Sequence, residues 1–204
     1  MAITSFSQFT ELHSSVLQEI GNMGSGGAAT ALADMLGKPT DISVPMVRTV
    51  GIAEAKALIT ALSGRTIAVL ISLSGDLKGH ILHVIPFEFA ERVIRTYFPD
   101  AEIKSVADLN EMSLSVINEM VNITTGAYAN SMAQLSSMFV DISTPQRCAD
   151  TASEIINSCH LNDNAMCFVN NTMIILDCKR QSNMLFFPEL ETIKKFMGKL
   201  GIEC

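Results

Sequence analysis

Two segments of this chain are versions of one pattern. SVLQEIGNMGSGGAATAL begins at Ser15 and SVINEMVNITTGAYANSM begins at Ser115, with Ser, Glu, Asn, Gly and Ala recurring at matching places one hundred residues apart. The correspondence runs on: Asp41–Pro45 reads DISVP and Asp141–Pro145 reads DISTP. HVIPFE, ending at Glu88, resembles LFFPEL around Pro188, now displaced by 102, which implies two extra residues in a turn between. A repeat on this scale sets the architecture before any local signal does. One domain over residues 1–204 is expected, made of two repeats of about 1–102 and 103–204.

Each repeat presents its elements in the same order. A long helix is expected from about Phe6 and again from about Ala107, the first opened by a capping box at Ser5-x-x-Gln8. A short β segment follows at Asp41–Arg48 and Asp141–Arg147; its proline cannot donate to a ladder and belongs at an edge or a strand end. Shorter helices are expected at Ala53–Leu62 and Ser153–His160. Apolar hairpins come next. TIAVLISL and GHILHVI flank Ser74-Gly75-Asp76, and MCFVNNTMIIL and NMLFF flank Lys179-Arg180-Gln181. A helix whose first residue is proline, Pro86 or Pro188, closes each repeat, because the first helical N–H needs no partner. Three strands per repeat predict an α/β fold with one mixed or antiparallel sheet of about six strands. Helices pack on it, two of them long and motif-bearing, and a pseudo-twofold axis relates the halves.

A helix turns about 100° per residue, so the faces of the repeated segment can be computed. With Ser15 as the origin, Glu19 falls at about 40° and Asn22 at about −20°. Gly26 falls at about 20° and Ala29 at about −40° on the same wheel. Phe9, Leu12, Val16, Ile20 and Met23 gather between about 60° and about 140° and are expected to be the buried stripe. Ser115, Glu119, Asn122, Gly126 and Ala129 repeat the polar ridge, with Leu109, Met112, Val116, Met120 and Ile123 as the apolar side. Met23-Gly24-Ser25-Gly26-Gly27 is a possible helix break; the second copy, with Gly126 alone, should be straighter.

Composition narrows the chemistry. The net charge is −7 and the 14 basic residues form no stripe, which argues against a nucleic-acid partner. No apolar run is long enough to span a bilayer and no secretory leader is read at the start. None of the 5 cysteines forms a C-x-x-C pair, and His13, His80, His83 and His160 show no ligand spacing. No resident metal or cofactor is expected, and a cytoplasmic location is. Gly24-Ser25-Gly26-Gly27-Ala28-Ala29 fits G-x-G-x-x-A, but a dinucleotide site needs a strand before it, and a helix precedes it here.

An asparagine amide donates and accepts at once, which suits it to holding a water in line with an electrophile. A neighbouring glutamate can pair with a cation. Ser15-x3-Glu19-x2-Asn22-x22-Pro45 and Ser115-x3-Glu119-x2-Asn122-x22-Pro145 resemble the signature of the CheC/CheX/FliY chemotaxis phosphatases, and two motifs in one chain resemble CheC most. The resemblance implies an aspartyl-phosphate phosphatase acting on a phosphorylated CheY-type response regulator. Asn22 and Asn122 would orient the water, and Glu19 and Glu119 would contact the regulator's lysine. Ser15, Gly26, Pro45, Ser115, Gly126 and Pro145 would border or shape the contact. Mg²⁺ would come with the regulator. The resemblance also implies CheD, a deamidase, as a further partner, and a monomeric chain. Two alternatives stay open: a non-catalytic adaptor binding the phosphorylated regulator or CheD through the same faces, and a small-molecule module using the glycine-rich segment.

Overall fold

The computed structural model of the protein describes residues 4–43, 46–61, 66–147, 166–174 and 180–204. In chain order these residues form α1 (Glu11–Leu36), β1 (Met46–Gly51), α2 (Ile52–Ala61), β2 (Thr66–Gly75), β3 (Gly79–Pro86) and α3 (Phe87–Tyr97). Then come α4 (Glu111–Ser136), β4 (Val140–Ile142), β5 (Gln146–Arg147), β6 (Met166–Ile174), β7 (Arg180–Pro188) and α5 (Leu190–Lys199). The helix expected at Ser153–His160 lies outside the described residues, as does Lys179 of the turn expected at Lys179-Arg180-Gln181; Arg180 and Gln181 instead open β7, paired with Ile174 and Met173.

The long helices start later than their sequence suggests, for a local reason repeated in both halves. A single 3-10 turn, Phe6–Gln8 or Val106–Asp108, comes first. Gln8 Oε1 accepts from the Ser5 N–H at 3.2 Å, and Asp108 Oδ2 accepts from the Ser105 N–H at 2.8 Å. The Ser5–Gln8 pair therefore closes this turn rather than the long helix. Thr10 and Asn110 are the true N-caps. Asn110 Oδ1 accepts from the Ser113 N–H at 2.9 Å, and the Thr10 N–H donates to His13 Nδ1 at 3.0 Å. Both helices end on a left-handed residue, Gly37 at φ 61° and Ser137 at φ 54°. Each runs 26 residues, so α1 continues through its glycines without a break.

The strands form one sheet in the order β1-β6-β7-β3-β2-β4, with β5 also on β2, and every described pairing is antiparallel. Among the described residues seven strands appear where about six are expected, because the second edge segment is split. Pro145 has no N–H and separates β4 from β5. Ser143 bridges the gap: its N–H donates to the Ser72 carbonyl at 2.9 Å and its Oγ accepts from the Ser72 N–H at 3.0 Å. The edges are exchanged. β1 of the first half pairs with β6 of the second, and β4 and β5 of the second pair with β2 of the first. The prolines expected to open the closing helices sit just ahead of them, Pro86 as N-cap of α3 and Pro188 as the last residue of β7.

One face of the sheet carries α1, α3, α4 and α5, while α2 packs against β1 and β6. Ile67, Val69, Ile71 and Ile85 pack with Leu32, Phe87, Ile94, Ile117 and Val121 at one end. Leu73, Ile81, Met184 and Phe186 pack with Leu17, Ile20, Tyr128, Met132 and Phe196 at the other. Both α1 and α4 serve both clusters, and they cross in the middle. There a Cβ on Gly24 would lie 2.4 Å from the Tyr128 ring, so only glycine admits the tyrosine. Ser25 Oγ lies 2.7 Å from the Tyr128 hydroxyl and donates or accepts there. His83, on β3 between the clusters, shares a 2.8 Å hydrogen bond with Thr125 of α4.

Two stability tests follow from these contacts. Burial holds the His83 pKa down to about 4 against an ordinary 6.5. The unfolded chain takes up a proton that the folded chain refuses, so this stability is complete above pH 6.5 and is lost as pH falls toward 4. The loss should reach roughly 3 kcal/mol by the lower limit. Denaturant titrations of the wild type and His83→Gln across that window should differ in slope, the variant being flatter; parallel curves would show that His83 is not the source. In a separate thermal melt, Gly24→Ala should lose about 1–2 kcal/mol, overpacking outweighing the gain in helix propensity. Gly26→Ala, where a Cβ meets nothing within 4 Å, should gain up to about 1 kcal/mol.

Candidate functional site

The two polar ridges lie where the crossing of α1 and α4 leaves them. On α1 the buried residues are His13, Leu17, Ile20, Gly21, Gly24, Ser25, Ala28, Leu32 and Leu36. From residue 13 to 32 they span an arc centred roughly 200° from Ser15, so Ser15, Glu19, Asn22 and Gly26 stand about opposite the buried side. On α4 the buried set includes Ser113, Ile117, Met120, Val121, Thr124, Thr125 and Tyr128, and the ridge of Ser115, Glu119, Asn122 and Gly126 again faces away. Ser15, Glu19, Ser115 and Glu119 are exposed, and Asn22 and Asn122 are half-buried.

The stripe expected between about 60° and about 140° is therefore displaced. Leu12 and Met112 are 58% and 61% exposed, and Met23 is exposed as well. Large apolar residues alone are a poor guide here. Across the seam between α1 and α4, Gly24 and Ser25 meet Tyr128 and Gly27 lies beside Ala127, and small residues carry little weight in a count of hydrophobes. Leu12 and Met112 instead flank the ridges as apolar shoulders. Beside the second ridge, Met35, Tyr97, Phe98, Met112, Val116, Ser115 and Glu119 line a cleft of about 310 Å³. The Tyr97 hydroxyl donates to the Met35 carbonyl and fixes one wall.

Within the first ridge, Asn22 Nδ2 donates to Glu19 Oε2 at 3.4 Å. Gln18 Nε2 donates to Asn22 Oδ1 at 3.2 Å, and Gln18 Oε1 accepts from the Val47 N–H at 2.9 Å. Gln18 is not among the residues expected from the sequence. A signal for it exists, because a residue four before Asn22 is its neighbour on a helix. Ser15 Oγ donates to the Glu11 carbonyl at 2.9 Å, so that hydroxyl is engaged by its own helix. Pro45 lies outside the described residues. Pro145 is half-buried between β4 and β5. A Cβ on Gly26 would meet nothing within 4 Å and one on Gly126 only Ile142 at 3.9 Å, so both glycines open the ridge floor to an approaching surface.

Other sites weighed from the sequence find a place in this geometry. The G-x-G-x-x-A segment is mid-helix in α1, where its N–H groups serve helical hydrogen bonds and form no phosphate cradle. Among the described residues no group of three His, Cys, Asp or Glu side chains is arranged to hold a metal ion, and no helix is long and apolar enough to cross a membrane.

Comparison with known proteins places both ridges inside matched regions. The CheC-like family model matches the chain twice, over residues 12–47 and 112–148. The chain is 26% identical to the CheY-P phosphatase CheC of Bacillus subtilis, over 96% of this chain and 97% of that protein. It is 26% identical to the flagellar motor switch phosphatase FliY of Bacillus subtilis, over 67% of this chain but 35% of FliY. The crystal structure of Thermotoga maritima FliY superposes with a TM-score of 0.76 at 22% identity, covering 95% of this chain and 98% of that one. The FliM middle domain of H. pylori gives 0.70 at 12% identity, covering 94% and 99%. The two structural likenesses speak to the fold.

Proposed function

Because the chain belongs to the CheC-like family, we propose that it is a phosphatase of a phosphorylated CheY-type response regulator. The supporting observation is the acid–amide ridge, presented twice on helices whose buried sides are turned away from it. The relatives called CheY-P phosphatase and flagellar motor switch phosphatase supply the substrate class. The mixed anhydride of an aspartyl phosphate needs no nucleophile from this chain. Water attacks phosphorus, the P–O bond to the aspartyl carboxylate breaks, and the products are the free carboxylate and inorganic phosphate. The regulator brings the phosphate and its Mg²⁺.

In this reading Asn22 and Asn122 are the catalytic amides, each accepting a hydrogen bond from the attacking water while donating toward the phosphoryl group. Glu19 and Glu119 pair with the regulator's lysine, which draws the amide into its pocket. Ser15 and Ser115 border the contact, and Gly26 and Gly126 let the partner's backbone come close. Leu12 and Met112 add apolar area at the rim, where contact with an exposed side chain removes it from water. Pro145 holds the neighbouring edge segment, and Pro45 is assigned the same part. The chain is then one cytoplasmic, monomeric domain over 1–204, two repeats related by a pseudo-twofold axis; the exchanged edge strands favour that over two separate domains. CheD is the second partner to be tested.

The decisive measurement is phosphate release from a purified phosphorylated receiver domain. Asn22→Ala with Asn122→Ala should remove the acceleration, a drop on the order of 100-fold, with the melting temperature little changed because both side chains are only half-buried. Each single variant should keep part of the rate. Full activity in the double variant would remove the amides from the mechanism. Tight binding of the phosphorylated domain with no faster release would instead make the protein a non-catalytic adaptor.

A further inference from the structure

We infer that Gln18 is a positioning residue that sets which way round the Asn22 amide sits, and that the second site lacks this device. The inference rests on the phosphatase reading for its kinetic consequence, not for its geometry.

An amide side chain looks nearly symmetrical, and its oxygen and nitrogen are told apart by their partners. In the first site those partners allow one assignment. The Val47 N–H is a backbone group that can only donate, and it meets Gln18 Oε1 at 2.9 Å. Gln18 must then turn its Nε2 outward, where it donates to Asn22 Oδ1 at 3.2 Å. Asn22 in turn directs Nδ2 at Glu19 Oε2, an acceptor, 3.4 Å away. The relay begins at a group without choice and ends at one that agrees. It leaves Asn22 one N–H and one oxygen lone pair unused, and a water-orienting amide needs one of each.

The second repeat is built differently at these points. Asn118 replaces Gln18 and is one methylene shorter, and Arg147 of β5 takes the place of Val47. Among the described residues neither Asn118, Glu119 nor Asn122 makes a side-chain hydrogen bond, so the Asn122 amide can sit either way round until a partner orients it. The first site is preset and the second is set on contact.

The test works in single-site proteins. In an Asn122→Ala background, Gln18→Glu keeps the acceptor for the Val47 N–H but offers Asn22 an oxygen instead of a donor. The expected result is a fall in kcat of about fivefold, the worth of one lost hydrogen bond, with the melting temperature little changed and the KM for the phosphorylated receiver within about twofold of the parent's. Gln18→Leu should lower kcat alike. In an Asn22→Ala background, Asn118→Leu should leave kcat unchanged. If Gln18→Glu restores what Gln18→Leu removes, Gln18 only ties α1 to β1 and the inference is overturned. A second readout needs no activity. In ¹⁵N NMR spectra the two Asn22 side-chain amide protons, identified by their disappearance in Asn22→Ala, should be well separated and should shift in Gln18→Glu, while those of Asn122 should not respond. Unmoved Asn22 resonances overturn the inference. Inactive parents with a responsive Asn22 would instead sink the phosphatase reading and leave the relay standing.

Discussion

The close crossing of α1 and α4 is the contact on which the rest depends. Gly24 has no Cβ because the Tyr128 ring occupies that space, and the Tyr128 hydroxyl meets Ser25 Oγ at 2.7 Å rather than lying buried and unpaired. Each helix also contributes to both hydrophobic clusters on the sheet, so the crossing point is clamped from two ends. Turning either helix by one residue, about 100°, would bring Glu19 or Glu119 toward the seam and carry Gly24 away from Tyr128. Fixing the rotation of the helices thus fixes the direction of both ridges. The position of the polar groups is set by small residues they never touch.

That dependence explains what could be read from the sequence. The one-hundred-residue repeat announces the order of elements, the two long helices and the hairpin at Ser74–Asp76, because these follow from local periodicity and turn chemistry. It also puts Ser15, Glu19, Asn22 and Gly26 on one face, which needs only the helical angle. The buried side is misjudged when Leu12 and Met23 count as core while Gly21, Gly24 and Ser25 do not. A helix that packs closely on another helix hides its smallest residues, and a hydrophobicity scale gives them little weight. The exchange of edge strands is invisible for a different reason. Pairing β1 with β6 joins Met46 to Asn171, a contact between distant parts of the chain that no local pattern encodes. The break at Pro145 is legible as an edge signal, but its repair by Ser143 is not.

The fold by itself does not assign chemistry. The same architecture superposes on T. maritima FliY and on the FliM middle domain of H. pylori at 22% and 12% identity, and function resides in sites carried by folds rather than in folds. What distinguishes a chemical proposal here is the pairing of an acceptor-only carboxylate with an amide three residues on, both at the surface, and a glycine one turn further that keeps the floor low. Apolar shoulders at Leu12 and Met112 make the same surface suited to a protein partner, since a small polar substrate would gain nothing from them.

The two copies agree at the ridge and differ in what holds it. Glu and Asn occur in both, whereas Gly24 and Ser25 meet Tyr128 across the seam, and Gln18 stands where the second copy has Asn118. A crossing of two helices has room for one large ring near its centre, so the two sides of the seam cannot both supply a tyrosine there. Once that side is chosen, the helices present their ridges from unlike supports. The anchor at the Val47 N–H belongs to β1. Symmetry of the ridge with asymmetry of its support therefore follows from packing, and two ridges with one pattern need not behave alike.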